Sequence, residues 1–273
     1  MPAATPPLPG SPDHRLPPTP AAPVALFISD VHLQAEAPAT AHAFLDFLAA
    51  HATGLQRLYL LGDLFEYWAG DDDLGSPFNA RVVAALRAIA DTGTALYWMA
   101  GNRDFLVGAR FAAACRLTLL PDPSIISVAG HRIVITHGDA QCTDDLEYQE
   151  FRRQVRAPGW QAQFLSQPLA ARLALIATMR DGSRAAQRNK SPAIMDVNLD
   201  AVAALFAHTD TALMIHGHTH RPAVHAAMHD GRLQTRYVLP DWDCEGAAWR
   251  GGGVLIDAAG TICTVGIEAR RQG

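Results

Sequence analysis

Residues 24–33 read VALFISDVHL, and this stretch decides the fold. The apolar run at 24–29 predicts a buried strand. Asp30 and His32 follow it two positions apart, so in extended backbone their side chains point to the same side. Ligands of open parallel sheets bind beyond the carboxyl ends of the strands. An aspartate near a histidine occurs in many turns. This pair therefore indicates a binding site only if similar turns follow other strands.

The next segments repeat the alternation of strand and helix. A helical pattern around 39–52 precedes a strand pattern at 58–61, and another around 79–90 precedes one at 95–100. This order predicts a parallel sheet covered by helices. More closely spaced strand patterns, as expected of a second, mixed sheet packed on the first, lie at 125–128, 132–136, 211–215, 236–239 and 253–256.

The bulk composition narrows the class of protein. A chain of 273 residues, 49% of them hydrophobic, can form one large α/β domain or a core with an inserted subdomain. The net charge of -5 and the lack of a dense Lys/Arg block argue against a nucleic-acid partner. No apolar run approaches the roughly 18 residues of a spanning helix.

Residues 1–22 are rich in proline and alanine and show no periodicity, which predicts a disordered tail. They lack the basic and apolar regions of a secretory signal. The cysteines at 115, 142, 244 and 263 show no CxxC spacing. We interpret them as reduced thiols of a cytosolic protein, with one buried disulfide as the alternative.

Four more turns after predicted strands carry residue types that bind metals. They contain Gly62-Asp63, Gly101-Asn102-Arg103, His137-Gly138-Asp139 and the histidine cluster at 216–220. With the first turn, the candidate ligands are Asp30, His32, Asp63, Asn102, His137, His218 and His220. This set is too large for one closed zinc site and contains no thiolate. It fits two ions that share a bridging carboxylate and clamp a phosphoryl centre, with Arg103 as a fork for phosphate oxygens.

The metal follows from the donor atoms. Mixed oxygen and nitrogen ligands suit Mn²⁺, Fe²⁺ or Zn²⁺ better than Ca²⁺. The residues thus predict a two-metal phosphoester or pyrophosphate hydrolase. A surface histidine tract without function is the alternative for 216–220, but this tract ends a predicted strand.

Residues 143–198 interrupt the alternation, because helix-compatible sequence dominates and no strand pattern appears. Two interpretations stay open: a helical cap over the site, or a helix hairpin that only covers a sheet face. The apolar side chains that favour a chamber under a cap are Leu165, Leu169, Leu173, Leu175 and Ile176. The predicted organisation is a tail at 1–22, a core at 23–142 and 199–273, and a cap at 143–198.

The order D-x-H, G-D, G-N-R-D, H-G-D, G-H-T-H between residues 30 and 220 resembles the calcineurin-like metallophosphoesterase superfamily. The resemblance implies a four-layer αββα sandwich. It also implies one ion on Asp30, His32, Asp63 and His220, and a second on Asp63, Asn102, His137 and His218, with Asp63 as the bridge. A protein phosphatase, a cyclic-nucleotide phosphodiesterase and a dinucleoside polyphosphate hydrolase are rivals within the superfamily. A rival of another functional class is a metallophosphoesterase fold kept as a protein-binding scaffold with a dead site, but that hypothesis predicts missing ligands and every ligand position is filled.

Longer blocks resemble one family more closely. ISDVHL, LGDLFEYWAGDDD, GNRDFLVG, HGDAQCTDDLEYQEFR, NKSPAIMDVN and IHGHTHRPAVH are similar to the UDP-2,3-diacylglucosamine diphosphatases of lipid A biosynthesis. The resemblance implies Mn²⁺, water attack on the α-phosphate, products UMP and 2,3-diacylglucosamine 1-phosphate (lipid X), and peripheral attachment to the cytoplasmic face of the inner membrane.

This resemblance also implies roles for individual residues. Catalysis would involve Asp63, Asn102 and Arg103. Substrate contacts would come from Asn102, Asp145, Ser183, Gln187, Lys190 and His218. Independently of the resemblance, the charges of Arg103 and Arg180 make them candidates to face the diphosphate, with a solvated helix face as the alternative for Arg180. Gln187 departs from the family, which commonly has Asn there, so its contact is the one in doubt.

Overall fold

The computed structural model describes residues 21–188, 194 and 196–267, with backbone only for 180–188. Residues 1–20 of the predicted tail lie outside this range. In chain order the strands are β1 (Pro23–Ile28), β2 (Arg57–Leu60), β3 (Ala95–Met99), β4 (Leu117–Leu120), β5 (Ser124–Val128), β6 (His131–Thr136), β7 (Leu213–His216), β8 (Ala223–His229), β9 (Arg232–Val238), β10 (Gly252–Asp257) and β11 (Ile262–Gly266). The α-helices are α1 (Pro38–His51), α2 (Pro77–Asp91), α3 (Ala109–Cys115), α4 (Leu146–Arg156), α5 (Pro158–Leu165), α6 (Leu169–Arg188) and α7 (Leu199–Thr209).

The strands form two sheets. The first has six strands in the order β11-β10-β1-β2-β3-β4, and β1 to β4 run parallel. The second has five strands in the order β5-β6-β7-β9-β8, with β6, β7 and β9 parallel and both edge strands antiparallel. The predicted mixed α/β fold with two sheets is confirmed.

Alternating side chains of the central strands face two different cores. Phe27 and Tyr59 of the first sheet meet Ile135 and Ile215 of the second sheet in a core between the sheets. The other face of the first sheet packs against α1, α2 and α3 through Leu26, Leu58, Phe44, Leu86 and Phe111. Val134 and Met214 turn to the outer face of the second sheet and pack against α7. The result is four layers, with helices outside and sheets inside.

The elements that sequence patterns did not predict are α3, α7, β4, β8 and β11. All seven residues of β8 are exposed, so no burial period marks the strand. β4 follows α3 after a single residue, Arg116 in left-handed conformation, and only its first residue, Leu117, is buried. The pattern at 211–215 is shifted, because Thr211 still donates its backbone N–H to Phe206 at the end of α7.

Helices α4, α5 and α6 occupy the segment predicted as a cap. The apolar side chains proposed for it divide into two groups. Leu165 and Leu175 are exposed, whereas Leu169, Leu173 and Ile176 are half-buried. Arg172, 2% exposed, bonds to the carbonyls of Ala69 and Gln167 and ties α6 to the core.

None of the helices in the described part of the chain is long and apolar enough to cross a membrane. All four cysteines are free thiols, and Cys263 is the exposed one.

Candidate dimetal site

All seven predicted ligands lie on loops that follow β1, β2 and β3 of the first sheet and β6 and β7 of the second. Backbone bonds join neighbouring loops, such as the Asp30 N–H to Gly62 O and the Gly217 N–H to His137 O. Left-handed φ angles, which non-glycine residues rarely adopt, occur at Asp30 (54°), His32 (52°), Asp63 (53°), His218 (69°) and His220 (54°). Strained backbone of this kind clusters at functional sites. Here it falls on five of the seven candidates.

One group of ligand atoms belongs to Asp30, His32 and His220. Their donor atoms all lie within 4.8 Å of one another. Nε2 of His32 is 3.2 Å from Nε2 of His220, which is 3.5 Å from Oδ1 of Asp30. Nitrogens and an oxygen that converge in this way are suited to one shared cation.

A second group comprises Asp30, Asp63 and His137, whose donor atoms also lie within 4.8 Å of one another. Asn102 extends it, because its Oδ1 lies 3.0 Å from Nε2 of His137 and 2.8 Å from Nδ1 of His218. Asn102 and His218 are 116 positions apart in the sequence, and the sheet edge brings them together.

Asp63, a member of the second group, also faces His32 of the first group. Its Oδ2 is 3.9 Å from Nε2 of His32, and its Oδ1 is 3.7 Å from Nε2 of His137. The Arg103 backbone N–H donates to Oδ1 at 2.8 Å and fixes the carboxylate. One oxygen toward each group is the arrangement that a bridging carboxylate needs.

The residues fit a pair of divalent cations. Oδ1 of Asp30 is buried and accepts no hydrogen bond within the described residues. A buried carboxylate oxygen without a donor is costly unless a cation compensates it. The donor set of carboxylate, amide and imidazole groups, without thiolate, suits Mn²⁺, Fe²⁺ or Zn²⁺.

In three candidate histidines Nε2 faces the site, and Nδ1 lies near a carbonyl or carboxylate on the far side of the ring. Nδ1 of His32 lies 3.1 Å from Oε2 of Glu66, and Nδ1 of His137 lies 2.9 Å from Leu61 O. Nδ1 of His220 is 3.8 Å from Asp241, which Arg250 holds at 2.9 Å. Such partners orient metal-ligating imidazoles and leave Nε2 toward the ion.

Asp104 joins two of the ligand loops. Its buried carboxylate accepts backbone N–H groups from Asp63 (3.2 Å) and Leu64 (2.8 Å) in one loop and from Gly101 (3.0 Å) in the other. Burial and the charge of Asp63 raise the pKa of Asp104 to about 7 despite these donors. The motif G-N-R-D contained this residue, but its role as a connector needed the structure.

Burial and neighbouring charges shift the pKa values of the carboxylate and imidazole groups in the site in different directions. Burial tends to raise the pKa of Asp30, but the His220, His137 and His32 rings outweigh burial and hold that pKa below its ordinary value. Burial opposes the charge of His137, yet Asp63 and Asp139 raise its pKa to about 9. Burial and the nearby His137 lower the pKa of His218 to about 4. A cation bound to His137 would compete with a proton for the imidazole nitrogen, because metal ligation needs the neutral ring.

Two glycines make the close approach of the loops feasible. Gly62 has a φ of +88°, and a Cβ there would lie 2.6 Å from the Gly101 Cα. A Cβ on Gly101 would lie 2.1 Å from Oδ1 of Asp63. Any larger residue at either position would push these two loops apart.

The predicted substrate contacts are only partly within the described residues. Asp145 is buried and caps α4, since its Oδ1 accepts the Tyr148 N–H at 3.1 Å. Outside the described residues lie the side chains of Arg180, Ser183 and Gln187 and all of Lys190. His216, excluded from the ligands, is buried between Gly217 O (2.8 Å) and Arg236 (2.9 Å).

Sequence reasoning did not assign Glu66, Asp104 or Asp241 to the site. A signal existed for Glu66, because it follows Asp63 by three residues in a loop already singled out. Asp241 carried no comparable signal, since its loop follows β9 and only the sheet order brings it to His220.

The chain belongs to the calcineurin-like phosphoesterase family, whose model matches residues 24–222. This confirms the superfamily predicted from the five motifs. Over 231 residues the chain is 50% identical to the UDP-2,3-diacylglucosamine hydrolase of Aromatoleum aromaticum, covering 84% of this chain and 94% of that protein. Proteins of the same name from Stenotrophomonas maltophilia (46% identity; 86% and 95% covered) and Escherichia coli O81 (47%; 81% and 92% covered) are also similar.

Proposed function

We propose that the protein is a dimetal hydrolase that cleaves UDP-2,3-diacylglucosamine into UMP and 2,3-diacylglucosamine 1-phosphate (lipid X), a step of lipid A biosynthesis. The observation that carries this proposal is the cluster of seven candidate oxygen and nitrogen ligands at one edge of two packed sheets. The similarity to proteins named UDP-2,3-diacylglucosamine hydrolase over more than 80% of the chain supports the substrate.

In this proposal the first ion is held by Asp30, His32, Asp63 and His220, and the second by Asp63, Asn102, His137 and His218. Mn²⁺ is the proposed metal, with Fe²⁺ or Zn²⁺ as alternatives. Two divalent ions supply Lewis-acid chemistry that activates water and withdraws charge from phosphoryl oxygens.

The protein groups orient the diphosphate for in-line attack. Arg103 follows Asn102 directly, and its backbone N–H donates to Oδ1 of Asp63, so we place its guanidinium beside the proposed bridge. A planar fork there can bind two oxygens of the attacked α-phosphate. Nδ1 of His218 lies 2.8 Å from Oδ1 of Asn102. We assign Asn102, Arg103 and His218 to the phosphate contacts.

The segment with α5 and α6 supplies substrate selection in this proposal. Leu165 and Leu175 present exposed apolar surface for acyl chains. The proposed contacts to the glucosamine and diphosphate come from Asp145, Arg180, Ser183, Gln187 and Lys190. Because a diacylated substrate resides in a bilayer, we also propose peripheral attachment to the cytoplasmic face of the inner membrane.

A comparison of three substrates tests the proposal: UDP-2,3-diacylglucosamine, UDP-glucosamine without acyl chains, and bis-p-nitrophenyl phosphate. Each buried methylene contributes about 0.8 kcal/mol in transfer terms. After ordering costs we expect at least about 10³-fold higher kcat/KM for the diacylated substrate, equal to roughly 4 kcal/mol. EDTA should abolish UMP release and Mn²⁺ should restore it. Equal kcat/KM for both nucleotide sugars would indicate another phosphoesterase of the family.

A further inference from the structure

One face of α4 points toward the candidate metal site. Tyr148, Arg152 and Arg156 are spaced by four residues, so they lie in a row along the helix. The side chains of Arg152 and Arg156 are 23% and 21% exposed. On another face of the helix, Arg153 is 70% exposed and pairs with Glu150.

The three side chains meet at the carboxylate of Asp139, which is fully buried. Its Oδ2 accepts hydrogen bonds from the Tyr148 hydroxyl at 2.6 Å and from Nε of Arg152 at 2.9 Å. A guanidinium nitrogen of Arg156 lies 3.5 Å from the same oxygen. A buried carboxylate with three such partners is a rigid connection, because loss of one donor leaves its charge poorly compensated.

Arg152 approaches two carboxylates near His137. Besides Asp139, it approaches Oδ2 of Asp122 at 3.8 Å. Oδ1 of Asp122 accepts the His137 backbone N–H at 3.3 Å. The guanidinium therefore hydrogen-bonds Asp139 and lies near Asp122, the carboxylate that accepts the His137 N–H.

Arg156 and Tyr148 reach the two other loops. Arg156 donates to Gly101 O at 2.9 Å and to Ala100 O at 3.3 Å, directly before Asn102. Its guanidinium also lies 5.7 Å from the ring centre of Phe105. The Tyr148 ring stacks on His218 with 5.9 Å between ring centres and 29° between planes.

We propose that Tyr148, Arg152 and Arg156, joined by Asp139, are positioning residues for the ligands of the second ion, namely Asn102, His137 and His218. This inference rests on the proposed dimetal function. His32 and His220, proposed for the first ion, have their outer partners elsewhere, on Glu66 and Asp241. Tyr148, Arg152 and Arg156 should therefore affect the binding of one ion and not of both. Helix α4 then belongs to the metal centre, and selection of the acyl chains begins after Arg156.

Mn²⁺ titration into metal-free protein tests this, with calorimetry for the two affinities and electron paramagnetic resonance for the spin-coupled pair. The variants are Arg152→Gln and Arg156→Gln, and Arg153→Gln is the matched control on the same helix. We expect Arg152→Gln and Arg156→Gln each to lower the affinity for one Mn²⁺ ion by about 10–100-fold, as for other partners of metal ligands. The affinity for the other ion should stay within about threefold of the wild-type value. Arg153→Gln should change neither affinity.

Tyr148→Phe and Arg152→Lys keep the test decisive if a glutamine variant does not fold. Tyr148→Phe deletes one hydroxyl and keeps the stacked ring, so it should lower the affinity for the same single ion. Arg152→Lys should recover part of the loss through its charge. Wild-type affinity for both ions in the folded variants, or equal weakening of both, would overturn the proposal. A wild-type protein that binds only one ion would refute the dimetal centre itself.

Discussion

Replacement of Gly101 by alanine is a small change that should strongly perturb the proposed bridge. The added Cβ would lie 2.1 Å from Oδ1 and 2.2 Å from the backbone N of Asp63, and ordinary contacts are about 3.5 Å. Asp63 must therefore move by roughly 1 Å, which also disturbs its 2.8 Å bond from the Arg103 N–H. A displacement of this size costs about 100-fold in rate, or roughly 2.7 kcal/mol of transition-state stabilisation.

The assay is steady-state kcat/KM for UMP release by Mn²⁺-loaded protein, with circular dichroism and bound-metal analysis of each variant. Gly75→Ala is the control, because nothing lies within 4 Å of a Cβ added there and no positive φ is present. Gly75→Ala should retain wild-type kcat/KM. A folded Gly101→Ala protein with more than about half of wild-type kcat/KM would show that the position of Asp63 does not govern the reaction.

Three further predictions concern other parts of the molecule. Glu66→Gln should weaken Mn²⁺ binding about 10–100-fold in a direct titration, since its carboxylate orients His32 from 3.1 Å; unchanged affinity would exclude that role. Arg172→Met should lower the unfolding free energy by about 2 kcal/mol, and Tm by roughly 4–8 °C, because buried carbonyls lose their donor; an unchanged Tm would contradict this. Iodoacetamide at pH 8 should label only the exposed Cys263 in the native protein, since burial raises the pKa of Cys115 to about 12; mass spectrometry that finds Cys115 modified would contradict it.

The candidate metal ligands could be predicted from the sequence because they follow strands with strong apolar patterns. Asp30 and His32 lie two apart after β1, and His218 and His220 lie two apart after β7. Their positions depend only on strand ends and on the rule that parallel strands finish at one edge.

The partners behind the ligands could not be predicted in this way. Arg152 and Arg156 look like solvated helix residues in the sequence, and only the packing of α4 on Asp139 shows otherwise. Asp241 reaches His220 because β9 pairs with β7, a register that the sequence pattern does not contain. The exposed strand β8 left no burial period at all.

Hydrolysis in H₂¹⁸O tests the central claim most directly, that this site directs water to the α-phosphorus of UDP-2,3-diacylglucosamine. The Mn²⁺-loaded protein is incubated with this substrate, and both products are analysed by mass spectrometry. We predict one ¹⁸O atom in each UMP and none in the 2,3-diacylglucosamine 1-phosphate, with no turnover in EDTA. Label in the sugar phosphate, or undiminished hydrolysis without metal, would contradict the account.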